Sequence, residues 1–258
     1  VLIVTTLVAS ARPSAWRPSL GLVWVGMMVI VLWLMGGGFG LATGPTSSWG
    51  GLPVTLVLTV FAIGLGFPAA ILLALGRRSA LPVVRTLSVL FIETIRGLPL
   101  LSLLLVASIL LPLFLPDSLL PDKFVRALIA LTIFAAAYLA EVLRGGLQSI
   151  PGGQSEAAEA LGLGYWKTQR LIILPQAIRI VIPALTNTII VMIKNTSLVL
   201  VVGLFDLISS GKAALSDPAW PAPSTETFLF IGLIYFALAF SFARFADFLE
   251  RSGAEKRG

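Results

Sequence analysis

The side chains able to do chemistry are few, and most sit where charge is costly. Lys194 lies in a run of Ile, Val and Met, with Asn187 seven residues before it and Asn195, Thr196 and Ser197 directly after. On a helix, Asn187 and Lys194 share one face. Glu93 and Arg96 are three residues apart, as are Glu141 and Arg144, a spacing that lets each pair meet within one helix turn. Ionisable groups inside apolar spans cost free energy and mark pathways or sites by default. An ammonium at Lys194 suits a ligand carboxylate; it equally suits an internal strut, paired with Glu93 or a backbone carbonyl. Glu93 and Arg96, beside Gly97 and Pro99, read either as a gate or site wall or as scaffold. Glu141 and Arg144 read as a structural anchor. Thr55 and Thr59 are expected to bond their own helix backbone rather than a ligand. Histidine and cysteine are both absent. Imidazole bases, thiolate nucleophiles, disulfides and the usual zinc or haem ligands therefore have no source, and no metal site is expected.

The elements that must hold these groups follow from composition. Of 258 residues, 57% are hydrophobic and 12% charged, and mean hydropathy is +1.00. Soluble domains carry about twice that charged fraction. A polytopic all-α membrane protein is the expected fold class. Six apolar stretches of near-spanning length stand at about 20–41, 51–75, 98–115, 126–143, 178–204 and 227–248. A helical stretch over 83–95 leads into the third, and Pro99 marks a break or kink there. The net charge of +6 fits basic loops on the cytoplasmic side better than nucleic acid, for which no soluble basic domain exists. With the N-terminus inside, Arg12, Arg17, Arg77, Arg78, Arg85, Arg144, Lys167, Arg170, Arg179, Arg244, Arg251, Lys256 and Arg257 are cytoplasmic. Only Lys123, Arg126 and Lys212 lie outside, so both termini are expected in the cytoplasm. No signal peptide is expected. Trp16, Trp24, Trp49 and Trp220 fall near span ends, as interfacial aromatics do.

Small residues indicate how the spans pack. Ala62, Gly66, Ala70 and Ala74 recur every four residues, a stripe that admits a second helix backbone at close range. The fourth span offers Ala136 and Ala140, the sixth Ala239 and Ala243. The first span has no such stripe and is expected to be peripheral and lipid-facing, on a core of five helices.

One stretch breaks the apolar pattern: "GGQSEAAEALGLGYWKTQRLIILPQA", residues 152–177. Ser155 is placed to cap a helix starting at Glu156, with Glu156 and Glu159 in its first turn. Gly162 or Gly164 then ends it. A second helix is expected over 165–174, with Leu171 and Ile172 on its apolar side, Lys167 and Arg170 exposed, and Pro175 closing it. Local physics leaves two readings, an ordinary surface hairpin and a docking element.

"EAA" at Glu156 to Ala158, Gly162 four positions after the last Ala, then Ile172, Leu174 and Pro175 resemble the EAA signature of ATP-binding-cassette (ABC) importer permeases. "ETIRGLPLL" (Glu93 to Leu101), "AEVLRGGLQSIPGGQ" (Ala140 to Gln154) and "IKNTSLV" (Ile193 to Val199) are similar to the polar amino-acid branch of that superfamily, its general L-amino acid group above all. Gly153 departs from it, where many relatives carry a basic residue. The resemblance spans roughly residues 50 to 250.

It implies a MetI-like type I permease core over 51–250, an N-terminal segment and peripheral helix over 1–50, and a tail over 251–258. It further implies a cytoplasmic coupling loop at 145–177, where Glu156, Ala157, Ala158, Leu161, Gly162 and Gly164 would meet an ATPase. Lys194, Asn187, Asn195, Thr196, Ser197, Glu93 and Arg96 become substrate-path candidates; Glu141, Arg144 and Pro175 remain structural. The implied function is amino-acid import across a bacterial inner membrane, with general or acidic and neutral L-amino acids as substrates. Implied partners are a second homologous permease subunit, two ATPase subunits, a periplasmic amino-acid-binding protein and membrane lipid. No phosphate-binding GxxxxGK[ST] loop is present, so this chain is not expected to hydrolyse ATP alone. The resemblance implies a transport subunit rather than an enzyme, with no cofactor of its own and with ATP and Mg used by the partner ATPase. Two alternatives stand beside this reading. A lipid-modifying membrane enzyme is disfavoured by the lack of His, Cys and an interfacial polar cluster. A six-span secondary transporter is disfavoured by the lack of a convincing inverted repeat.

Overall fold

Prolines set where the helices start, because a residue without an amide hydrogen costs nothing in a helix's first turn. Helix α1 (Leu52–Arg77) opens with Pro53 in its first turn, and Pro82 opens α2 (Pro82–Gly97). Pro99, extended at φ −60°, ψ 140°, leads into α3 (Leu100–Phe114). Then come α4 (Lys123–Gln148), α5 (Gly153–Ala160), α6 (165–180) and α7 (Ile182–Asn195), which a 3₁₀ segment (Thr196–Val202) prolongs. A short α8 (Leu207–Leu215) and the long α9 (Ser224–Ala254) complete the chain. The structure, a computed structural model, describes residues 26, 29–31, 33–40, 49–218 and 224–254. The expected first span at 20–41, Arg12, Arg17, the tail and Trp16, Trp24 and Trp220 lie largely or wholly outside them.

Among the described residues, four helices are long and apolar enough to cross a membrane: α1, α4, residues 182–202 and α9. The pair α2 and α3 supplies a fifth if counted as one broken span, bent by 101° at its break. Pro99 sits at that bend, where the sequence places a kink. The segment over 83–95 is thus no straight extension of the third span. Its Ser88 meets Gly76 on α1, and at α2's far end Glu93 meets Arg77.

Helices α1 and α4 form the centre. The stripe Ala62, Gly66, Ala70 and Ala74 is wholly buried. A methyl group on Gly66 would meet the Ala135 side chain, the Ala136 nitrogen and the Thr132 carbonyl, each at 3.2 Å. Ala136 and Ala140 are buried on the α4 side. Helix α9 packs mainly on α7, and its Leu238 clusters with Ile193 of α7 and Leu56 of α1. Its Ala243 is exposed, so the expected small-residue contact is not made there.

The two ends differ. At one, called here the basic end, lie Arg77, Arg78, Arg144 and the α4–α6 connection. At the opposite end Gly51 N–H donates to the Phe205 carbonyl at 3.0 Å. Asp206, fully buried, caps α8: its carboxylate accepts from the Ile208 and Ser209 amides, the Ser209 hydroxyl and the Tyr235 hydroxyl. The Leu207 amide donates to Thr55 Oγ1 at 3.1 Å. One buried polar joint therefore fastens α8 to α1 and α9.

Candidate functional site

The 152–177 stretch folds into two helices joined at Gly162. Helix α5 begins at Gly153, three residues before the expected start. The Gln154 amide donates to the Pro151 carbonyl at 3.1 Å, and those of Ser155 and Glu156 to the Gly152 carbonyl at 2.9 and 3.2 Å. Backbone carbonyls thus open the helix, Ser155 caps nothing, and Glu159 falls in the last turn; only Glu156 stays in the first. Gly162 ends the helix at φ 72°. Its amide donates to the Glu159 carbonyl at 2.9 Å and that of Leu163 to Ala158 at 3.0 Å. These two bonds make a Schellman motif, which needs the left-handed residue that glycine supplies. Gly164, extended, precedes α6.

Ala158 is buried, while Glu156, Ala157, Glu159 and Leu161 face outward, Leu161 at 77% exposure. Tyr165 and Trp166, in edge contact at 5.3 Å between centroids, are exposed beside it. Glu156 makes no ion pair among the described residues. The segment therefore presents a small, partly apolar surface with two carboxylates, Glu156 and Glu159, that make no ion pair among the described residues.

Pro175 does not close α6, which continues to Ile180. A π turn over Gln169–Ile173 comes first, its last bond running from the Leu174 amide to the Gln169 carbonyl. The wider turn gives the proline ring room against the carbonyl four residues back. Leu171, expected on the apolar side, is exposed; Ile172 is half-buried. Lys167 and Arg170 are exposed as expected.

The charged pairs form one network. Arg77 Nη1 lies 2.7 Å from Glu93 and 3.3 Å from Glu141. Arg96 lies 3.8 Å from Glu93 and 3.7 Å from Glu141, and Arg144 is 2.5 Å from Glu141. Three arginines and two glutamates thus tie α1, α2 and α4 together at the basic end. The Arg96 guanidinium also lies over the Tyr138 ring at 5.8 Å, and Arg78 donates to the Leu147 carbonyl at 2.7 Å. Sequence spacing finds the two i,i+3 pairs but not Arg77, the hub, because its partners are 16 and 64 residues away.

Lys194 and Asn187 are exposed on one face of α7, with Pro183, Ala184 and Val191. Lys194 makes no ion pair among the described residues, and Glu93, its suggested strut partner, is bonded to Arg77 and Arg96 instead. Thr196 is buried and donates to the Ile193 carbonyl at 2.7 Å, while Asn195 and Ser197 are half-buried. Thr59 donates to Thr55 at 2.8 Å, a backbone contact as expected. Two further buried polar groups escape sequence analysis. Asp206 carries a cap signal, an Asp three residues before a Ser at a helix start. Arg126, assigned to an outer loop, is the fourth residue of α4 and 7% exposed.

Long apolar helices, one broken span and a charge network across three of them define an integral membrane protein rather than a soluble helical bundle. Residues 66–253 match the family described as binding-protein-dependent transport system inner membrane component. The chain is 54% identical over 224 residues to the inner membrane amino-acid ABC transporter permease protein YhdY of Escherichia coli (strain K12), across 86% of this chain and 61% of that protein. It thus spans about three-fifths of that relative's length. It is 36% identical over 209 residues to the glutamate/aspartate import permease protein GltK of Escherichia coli O157:H7, across 79% of this chain and 92% of that one. Among solved structures, a chain in the crystal structure of an amino acid ABC transporter with histidines is 34% identical, at a TM-score of 0.67, covering 78% of this chain and 91% of that chain. The chain belongs to the binding-protein-dependent inner membrane component family, and its fold is the MetI-like fold of ABC importer permeases.

Proposed function

We propose that this chain is the permease subunit of an ATP-driven importer of L-amino acids and that the 145–177 segment couples it to an ATPase. The exposed α5–Gly162 turn carries this reading. It is a capped helix outside the spans, ended by a Schellman turn and presenting Glu156, Ala157 and Leu161 with no partner among the described residues. Small residues allow close approach, and the free carboxylate suits a basic cleft. In this reading the basic end is cytoplasmic, as are both termini, in keeping with the excess of Arg and Lys there. ATP and Mg are used by two separate ATPase subunits, and a periplasmic binding protein delivers the substrate.

The face of α7 bearing Asn187 and Lys194 supports a place for the substrate path. An unpaired ammonium is not stable against lipid, so that face must adjoin water, substrate or a polar partner. A second permease subunit, homologous to this one, would close the path on that side. Similarity to a glutamate/aspartate import permease supports acidic amino acids among the substrates. Lys194 then offers the counter-charge to a carboxylate, and Asn195 and Ser197 line the same end of the helix. The Arg77 network holds α1, α2 and α4 as one body that moves when the coupling segment is pushed.

The test is uptake of labelled glutamate into vesicles carrying the full transporter. Accumulation is expected only with ATP inside and the ATPase present. Accumulation driven by an ion gradient with no ATPase subunit would overturn the reading.

A further inference from the structure

Two π turns occur among the described residues, Val106–Leu110 in α3 and Gln169–Ile173 in α6. Each is followed by a proline at the same offset, Pro112 and Pro175. A proline has no amide hydrogen to offer the carbonyl four residues before it. The carbonyls so deprived belong to Ser108 and Leu171. The α6 turn lies outside the apolar spans, and Leu171 is 63% exposed, so water can serve its carbonyl. The α3 turn lies in the broken span, where water is scarce and an unmet carbonyl is costly. There the Arg126 guanidinium, buried on α4, donates to the Ser108 carbonyl through Nη1 at 3.1 Å. Arg126 makes no ion pair among the described residues, and its Nε has no partner. That one bond is what the structure shows this buried cation doing.

We propose that Arg126 is a positioning residue that stands in for the amide hydrogen Pro112 lacks. It clamps the outer half of the broken span to α4. The span has two weak points, the 101° bend at residues 98–99 and the π turn with Pro112. Arg126 closes the second, so α3 swings as one piece about the first.

The chain has no cysteine, so a spin-label pair can be placed without a background. Ile109→Cys on α3 and Ile129→Cys on α4 are exposed and flank the clamp. In the complete protein in lipid nanodiscs, the distance distribution between labels is expected to be narrow. It broadens in Arg126→Ala and narrows again in Arg126→Ala/Pro112→Ala, where residue 112 regains an amide hydrogen. Arg126→Lys, which keeps a donor, stays closer to the parent. A double variant as broad as Arg126→Ala, or a single variant as narrow as the parent, overturns the proposal. The transport consequence rests on the importer reading: uptake per assembled complex falls about fivefold in Arg126→Ala, the loss of one hydrogen bond, and recovers in the double variant. No uptake in the parent would count against that reading, while the label distances still decide the clamp.

Discussion

Glu156 and Glu141 are the same residue in opposite circumstances. Glu141 lies within reach of Arg77, Arg96 and Arg144, at the junction of three helices. Glu156 projects exposed from a short helix and makes no ion pair among the described residues. The first carboxylate is saturated by its own chain, and its contribution is internal. The second is left open, so any attraction it offers goes to another molecule. The difference separates charge that organises a fold from charge that awaits a partner.

Three substitutions break or sharpen this contrast. The largest effect on stability is expected for Glu141→Ala, which leaves three arginines without their shared carboxylate. Loss of hydrogen bonds to a charged group costs about 1.5–3 kcal/mol, visible as a lower thermal midpoint in detergent and less protein in the membrane. An unchanged midpoint would mean the network is ornamental. Next comes Gly162→Ala, where a left-handed backbone conformation costs roughly 1–2 kcal/mol in a residue with a side chain. Because the turn is exposed, limited proteolysis at 149–164 should speed up while the midpoint hardly moves. A midpoint drop as large as that of Glu141→Ala would show the turn to be part of the core. The smallest effect on stability, within about 0.5 kcal/mol, is expected for Glu156→Lys. Its effect should appear instead as weaker ATPase binding and lower coupled uptake at normal expression. Unchanged coupled uptake would remove Glu156 from the docking surface.

Much of the fold is legible in the sequence because a bilayer makes strict demands. Apolar stretches must span it, and those expected at 51–75, 126–143, 178–204 and 227–248 lie on long helices of the structure. The stripe from Ala62 to Ala74 announces the α1–α4 contact. The third span is less legible. Gly97 and Pro99 announce a break, but nothing local sets a 101° bend, which depends on how Ser88 and Ile92 seat against α1 and the core. The start of α5 moved from Glu156 to Gly153 because carbonyls of Pro151 and Gly152, rather than a side chain, open it. Pro175 failed as a stop signal for a related reason. A π turn ahead of a proline removes the clash that would end a helix.

The site divides along the same line. Gly162 as a turn needs only its own φ, a local property, and the sequence places it. The pairs Glu93–Arg96 and Glu141–Arg144 need only helix periodicity. Arg77 as their hub, Arg126 on the Ser108 carbonyl and Tyr235 on Asp206 join residues 16 to 64, 18 and 29 positions apart. Hydropathy, periodicity and backbone preference act over a few residues, and they determined the class, most of the spans and the turn at Gly162. Which charges meet, and which are left free, was decided only when the helices packed. A side chain's partners are then set by the crossing of helices distant in sequence.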